Sequence, residues 1–121
     1  MAIHNDIGAF GEKLAVDFLK AQGYQILETN WRYGKAELDI IAKLAAELIF
    51  VEVKTRTSDT FSKPEDAINR KKIRLLGQAA AVYMEQIGHD GEIRFDVVSV
   101  VDRKNKQPSL RHMIDAFFPK W

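Results

Sequence analysis

Residues 37–56 read ELDIIAKLAAELIFVEVKTR, two aliphatic and β-branched runs around a short break containing Ala45 and Ala46. The pattern predicts strands over 36–42 and 47–55, joined as a hairpin. Side chains alternate across a strand, so Leu38, Ile40 and Ala42 are expected on one face and Glu37, Asp39 and Ile41 on the other. On the second strand Ile49, Val51 and Val53 oppose Phe50, Glu52 and Lys54. A break symmetric about the two alanines sets Asp39 opposite Glu52 and Glu37 opposite Lys54. Opposed carboxylates have Cβ atoms only about 5 Å apart and repel. Lys54 alone cannot neutralise three acids, and an all-oxygen donor set without His or Cys suits a hard ion such as Mg2+ or Mn2+. The rival reading is a wet hairpin end with an ordinary Glu37–Lys54 ion pair. Against it, the charges interrupt LDII and IFVEV, the most apolar part of the chain, where an unpaired carboxylate is costly.

Outward from the hairpin, residues 6–22 carry Ile7, Phe10, Leu14, Ala15, Phe18 and Leu19 at helical spacing, with Asn5 or Asp6 as N-cap and Gly23 as the stop. Glu12 falls beside that apolar stripe, facing along the seam between helix and sheet. Residues 24–33 read as a strand and Gly34-Lys35 as a turn. Residues 64–87 form a second helix with Ile73, Leu76, Ala80, Tyr83, Met84 and Ile87 on one face, Ser62 and Glu65 as a capping box, and Gly88 as its end. Strands over 92–101 and 110–114 complete the order αβββαββ. This is an α/β chain with a mixed sheet flanked by helices, the second helix crossing between the third and fourth strands as a parallel pair.

At 121 residues the chain reads as a single domain, 1–121, with one core. Eighteen Lys and Arg against 17 Asp and Glu leave a net charge of +1, so a nucleic-acid partner must be held by a local patch rather than a global field. There are no cysteines, which removes disulfides and thiolate metal sites and fits a reducing compartment. No signal peptide or membrane-length apolar run is legible, so a soluble cytoplasmic protein without a membrane partner is expected. His4, His89 and His112 lack metal-ligand spacing. Arg94 and Asp96 share a strand face as structural support. Phe117, Phe118 and Trp121 make an apolar tail that caps the core or joins a dimer.

Glu12 on a first helix, Asp39 on a strand and Glu52-Val53-Lys54 on the next resemble the catalytic pattern of the PD-(D/E)XK nuclease superfamily, which includes archaeal Holliday junction resolvases and many restriction endonucleases. Within it, GAFGEKLAVDFLKAQGYQILETNWR, AELDIIA, IFVEVKTR, AINRKKIRLL and RFDVV, in order from about Gly8 to Val101, are similar to the YraN-type family of small bacterial proteins. Two positions depart from that family, Ala36 and Ser62 standing where glycines are usual, and neither is a ligand.

The resemblance implies a restriction-endonuclease-like three-layer core and a metal-dependent endonuclease hydrolysing DNA phosphodiesters, branched or repair intermediates among them. Asp39, Glu52 and the Val53 carbonyl are then the expected ligands of Mg2+ or Mn2+. Lys54 orients or activates the water. Glu12 completes the catalytic set through a water or a second ion, and Glu37 is a supporting acid or the partner of Lys54. Phosphate contacts are expected from Arg32, Lys35, Arg56, Arg70, Lys71, Lys72 and Arg74, positioning DNA without reading its sequence. Trp31 and Tyr33 are read as packing aromatics first and base-stacking ones second. Cutting both strands with one site per chain calls for a homodimer. The alternative is a non-catalytic nucleic-acid-binding module that retains the nuclease fold.

Overall fold

The computed structural model describes residues 3–57 and 69–119, with side chains described from Gly8 onward. The elements are α1 (Ile3–Ala21), β1 (Gln25–Tyr33), β2 (Ala36–Leu44), β3 (Glu47–Thr57), α2 (Arg70–Ile87), β4 (Ile93–Asp102) and β5 (Ser109–Phe117). The strands make one sheet in chain order, antiparallel throughout except for the parallel pair β3 and β4. A parallel neighbour needs a crossover connection, and α2 lies in it.

Each face of the sheet carries its own apolar cluster. Under α1, Ala15 and Leu19 pack on Ile40, Ala42, Ile49, Val51, Val98 and Val100. Under α2, Leu76, Ala80 and Tyr83 pack on Ile41, Leu48, Phe50 and Phe95. Strands buried on both faces read as near-continuous apolar runs, which is how β2, β3 and β4 read. The result is the mixed, three-layer α/β arrangement expected from the element order.

The hairpin closes as its symmetry requires. Leu44 pairs with Glu47 across the two-residue Ala45-Ala46 turn, and the ladder continues through Ala42–Ile49 to Ile40–Val51. Ala45 takes a left-handed φ of 54°, the conformation such a tight turn demands. Gly34, at φ 59°, closes β1 onto β2 with Tyr33 opposite Ala36. Gly23 ends α1 and Gly88 caps α2 in the same region.

Several expectations need correction. Helix α1 starts at Ile3, so Asn5 and Asp6 lie within it rather than capping it. The described part of the second helix begins at Arg70, not 64, because Asn69 is extended and its side chain accepts the Lys72 N–H at 2.9 Å. The Ser62–Glu65 capping box and Trp121 lie outside the described residues. Ile87 is exposed, since the sheet contacts of α2 end a turn earlier at Tyr83. Strand β5 continues to Phe117, which packs against Phe95 with ring centroids 5.3 Å apart and so covers the core. Leu38 joins the α2-side cluster rather than Ile40 and Ala42: strict alternation fails between Leu38 and Ile40, where the β2–β3 ladder stops.

Candidate active site

The failed alternation makes room for the charged residues. Beyond Ile40–Val51 the Val53 N–H donates to Asp39 Oδ2 at 2.8 Å, a side chain taking the place of a strand partner. Glu52, only 5% exposed, extends from β3 into hydrogen-bonding range of the Asp39 carboxyl. The two acids expected to face each other thus come together, but through their side chains beyond the last ladder pair rather than as registered strand partners. Glu37 and Lys54 do not pair: Glu37 lies across β1 from Arg32 and bridges it at 2.8 Å. Divergence of the strands separates the two residues that a continued ladder would have joined.

Two carboxyls this close and this dry cannot both stay charged. Burial, then the hydrogen bond and charge of Glu52, push the Asp39 carboxyl up to about 8, against the Val53 N–H and Lys72. Lys72, from the first turn of α2, places Nζ 3.1 Å from Glu52 Oε2. Yet among the described residues that oxygen, buried from solvent, has no partner in hydrogen-bond geometry. A buried carboxylate oxygen is costly unless its charge is offset, and here the Lys72 ammonium offsets it from one side only. Two hard oxygen donors facing one another suit an ion of the Mg2+ class.

Lys54 follows Glu52 on β3 and is half-buried. Burial lowers its pKa, and the neighbouring Lys72, within hydrogen-bonding range, lowers it further despite Glu52 and Asp39. Lys72 moves the other way: burial disfavours its charge, but Glu52 and the Lys54 amine outweigh that. The two lysines thus shift in opposite directions, Lys54 down and Lys72 up. A cleft of about 180 Å3 opens over the acid pair and Lys72, lined by Lys35, Ala36, Glu37, Asp39, Glu52, Lys72, Leu75 and Leu76.

Glu12 stands at the rim. Burial and the charges of Asp39 and Glu37 raise its pKa, while Asn30 Nδ2, donating to Oε1 at 2.7 Å, pulls it down. It does not join Asp39 and Glu52 in one ligand set: among the described residues no three His, Cys, Asp or Glu side chains converge as a metal cage. Asn30 was not anticipated from sequence. Its left-handed φ of 54° inside a strand is a conformation Asn tolerates, and it aims the amide at α1.

The depth of Glu12 depends on its neighbour. A Cβ at Gly11 would overlap the Thr55 side chain of β3, so only glycine lets the helix approach this closely. Gly11→Ala is expected to cost about 1–3 kcal/mol by overpacking. Urea midpoints read the loss, and Thr55→Gly in the same chain should recover part of it. An unchanged midpoint would remove this contact as a determinant.

The basic residues divide. Arg32 is tied to Glu37, Lys35 lines the cleft and Lys72 enters the acid pair. Arg70, Lys71 and Arg74 are exposed on α2, with Arg70 and Arg74 beside Ile73 and Phe118 around an open hollow of about 420 Å3. Arg56 is half-buried on β3. Trp31 packs edge-on against Tyr83 at 5.2 Å, whereas Tyr33 is half exposed.

Away from the cleft, on the α1 face, Asp96 is fully buried and fully bonded. Arg94 donates to both its oxygens at 2.9 and 2.8 Å, His112 Nε2 lies 2.7 Å from Oδ2, and the Asp115 N–H donates to Oδ1 at 2.9 Å. Arg94 and Asp96, expected to share a strand face as structural support, thus pair directly with each other. His89 Nε2 lies 2.9 Å from the Glu92 carbonyl, so His89 and His112 both have partners, and the side chain of His4 lies outside the described ones.

Fold and site together define a three-layer α/β protein with a closely opposed acid pair and two lysines where its central strands diverge. The chain belongs to the uncharacterised protein family UPF0102, whose profile matches residues 11–100. It is 48% identical over 118 residues to a UPF0102 protein of Flavobacterium psychrophilum, covering 98% of each chain. UPF0102 proteins of Christiangramia forsetii and Bacteroides thetaiotaomicron are 46% and 42% identical over 119 residues, with 98% of each chain covered. The YraN-type resemblance read from the sequence blocks agrees with this membership. No helix among the described residues is long and apolar enough to cross a membrane.

Proposed function

We propose that this protein is a metal-dependent endonuclease that hydrolyses phosphodiester bonds in DNA. One observation carries the reading: the Asp39 carboxyl and a Glu52 carboxyl only 5% exposed come within hydrogen-bonding range of each other, with the Lys54 and Lys72 amines beside them. Asp39, Glu52 and the Val53 carbonyl are the residues that would hold Mg2+ or Mn2+, which supplies charge neutralisation at phosphorus and a more acidic water. Lys54, with its lowered proton affinity, presents an amine that can orient that water and accept a proton from it. Glu12, held by Asn30 and near enough to Asp39 for their charges to interact, would support the site through a water or a second ion. Lys35, Arg56, Arg70, Lys71 and Arg74 offer phosphate contacts around the cleft, which position a strand without reading its bases. Severing both strands of a duplex with one site per chain makes a homodimer part of this reading, and cytoplasmic DNA its partner.

Labelled duplex, single-stranded, flap and four-way junction DNA, each incubated with Mg2+ or Mn2+ and with chelator, test it. Cleavage is expected only with metal, and Lys54→Ala is expected to slow it by about 10²–10⁴, the usual worth of a positioned acid–base group. Binding without cleavage under every metal would instead mark a non-catalytic nucleic-acid-binding module.

A further inference from the structure

Among the basic residues at the start of α2, Lys72 differs from its neighbours in where it goes. Arg70, Lys71 and Arg74 face solvent, whereas Lys72 is half-buried with its ammonium 3.1 Å from a Glu52 carboxylate that is 5% exposed. Its backbone is fixed by the same contact that starts the helix, the Asn69 side chain accepting the Lys72 N–H at 2.9 Å. Lys72 also precedes Leu76 by one helical turn, on the stripe that packs against the sheet. A phosphate-binding lysine has no need of this position. An ammonium here does what a metal ion would do, offsetting two carboxyls that burial has forced together, but from one side only, since the Glu52 oxygen it approaches remains outside hydrogen-bond geometry.

We propose that Lys72 is a tethered counter-ion that holds the acid pair in the metal-free protein and is displaced when a divalent cation binds, freeing its ammonium for the substrate phosphate. This rests on the metal-dependent reading given above. A monovalent charge and a dication then compete for Glu52, so Lys72 restrains metal binding while it preserves the site.

Mn2+ titration of the full-length protein without DNA, followed calorimetrically, tests the proposal. Lys72→Met is expected to bind Mn2+ about tenfold or more tightly than wild type, a factor equivalent to about 1.4 kcal/mol. Lys72→Arg, which keeps the charge, should stay near wild type. Metal-free Lys72→Met should melt at a lower temperature and regain more than wild type when Mn2+ is added. Uptake by wild type that Lys72→Met leaves equal or weakened overturns the proposal and spares the nuclease reading. Failure of both proteins to take up Mn2+ overturns both. Should Lys72→Met not fold, the Lys72 ε-methylene resonance of the wild type decides: it should shift on saturation with Mg2+, and a resonance that stays put rejects displacement.

Discussion

Asp39→Asn is expected to reduce metal-dependent cleavage by about 10³ or more, the rate equivalent of the several kcal/mol a metal ligand contributes to the transition state. The same change is expected to stabilise the metal-free protein, and the two effects share one cause. The Asp39 carboxyl is pushed up to about 8 by burial and by Glu52. Between the ordinary carboxylate value and about 8 the folded chain therefore binds a proton that the unfolded chain has released, so this group's contribution falls as pH rises across that window and is flat above it. Its slope is at most about 1.4 kcal/mol per pH unit. The amide that replaces the carboxyl is neutral at every pH, can still accept the Val53 N–H, and gives Glu52 an N–H donor. Melting temperatures of metal-free wild type and mutant should thus diverge from pH 5 to about 8 in the mutant's favour, and Mn2+ should raise only the wild type. Mutant cleavage within tenfold of wild type, or parallel melting curves across pH, would sink this account of the acid pair.

How far the sequence spoke for the site follows from which interactions set each residue. The approach of Asp39 to Glu52 was readable because the apolar alternation and the Ala45-Ala46 break jointly fix the register up to Ile40–Val51, where a slip would have put both residues on the wrong faces, and the two acids lie just beyond it. Glu37 with Lys54 was not, because the ladder stops at Ile40–Val51 and the strand beyond it answers to β1 and its Arg32. The same divergence carries Leu38 to the α2 side, where Trp31 and Leu76 also pack. Lys72 had a signal that went unused. Its spacing to Leu76 put it on the buried stripe of α2, yet in a run of Arg70, Lys71, Lys72 and Arg74 composition alone makes all four look alike. Asn30 and Gly11 had no such signal: one needed a backbone dihedral and the other a helix-to-strand approach, both set by tertiary packing.

The largest stability effect is expected far from the cleft, at Arg94→Met. Asp96 pairs in register with Val51, whose side chain belongs to the α1-side cluster, so the Asp96 network and Glu52 lie on opposite faces of the sheet. Burial alone would raise the Asp96 carboxyl, but His112, Arg94 and the Asp115 N–H hold it below the ordinary range. A carboxylate held low adds stability above its unfolded value and loses it as pH falls through the folded one. The network also pins the sheet where β4 and β5 slip register between Phe95 and Val97, since Asp115, at a left-handed φ of 56°, donates to Asp96 from that irregularity. Removing the guanidinium leaves a fully buried carboxylate short of its bidentate partner, a loss of about 3–5 kcal/mol. That corresponds to a fall in melting temperature on the order of 10 °C or more for a domain of this size. Acid unfolding should begin at higher pH in the mutant, because one of the groups depressing the carboxyl is gone. Where the mutant is still folded, at low temperature and neutral pH, its Mn2+ affinity should match wild type, for nothing on the α2 face has changed. A mutant that melts within about 2 °C of wild type, far below the shift such a loss implies, would show that the pair is dispensable, and one that folds normally but binds metal poorly would mean the two faces of the sheet are coupled.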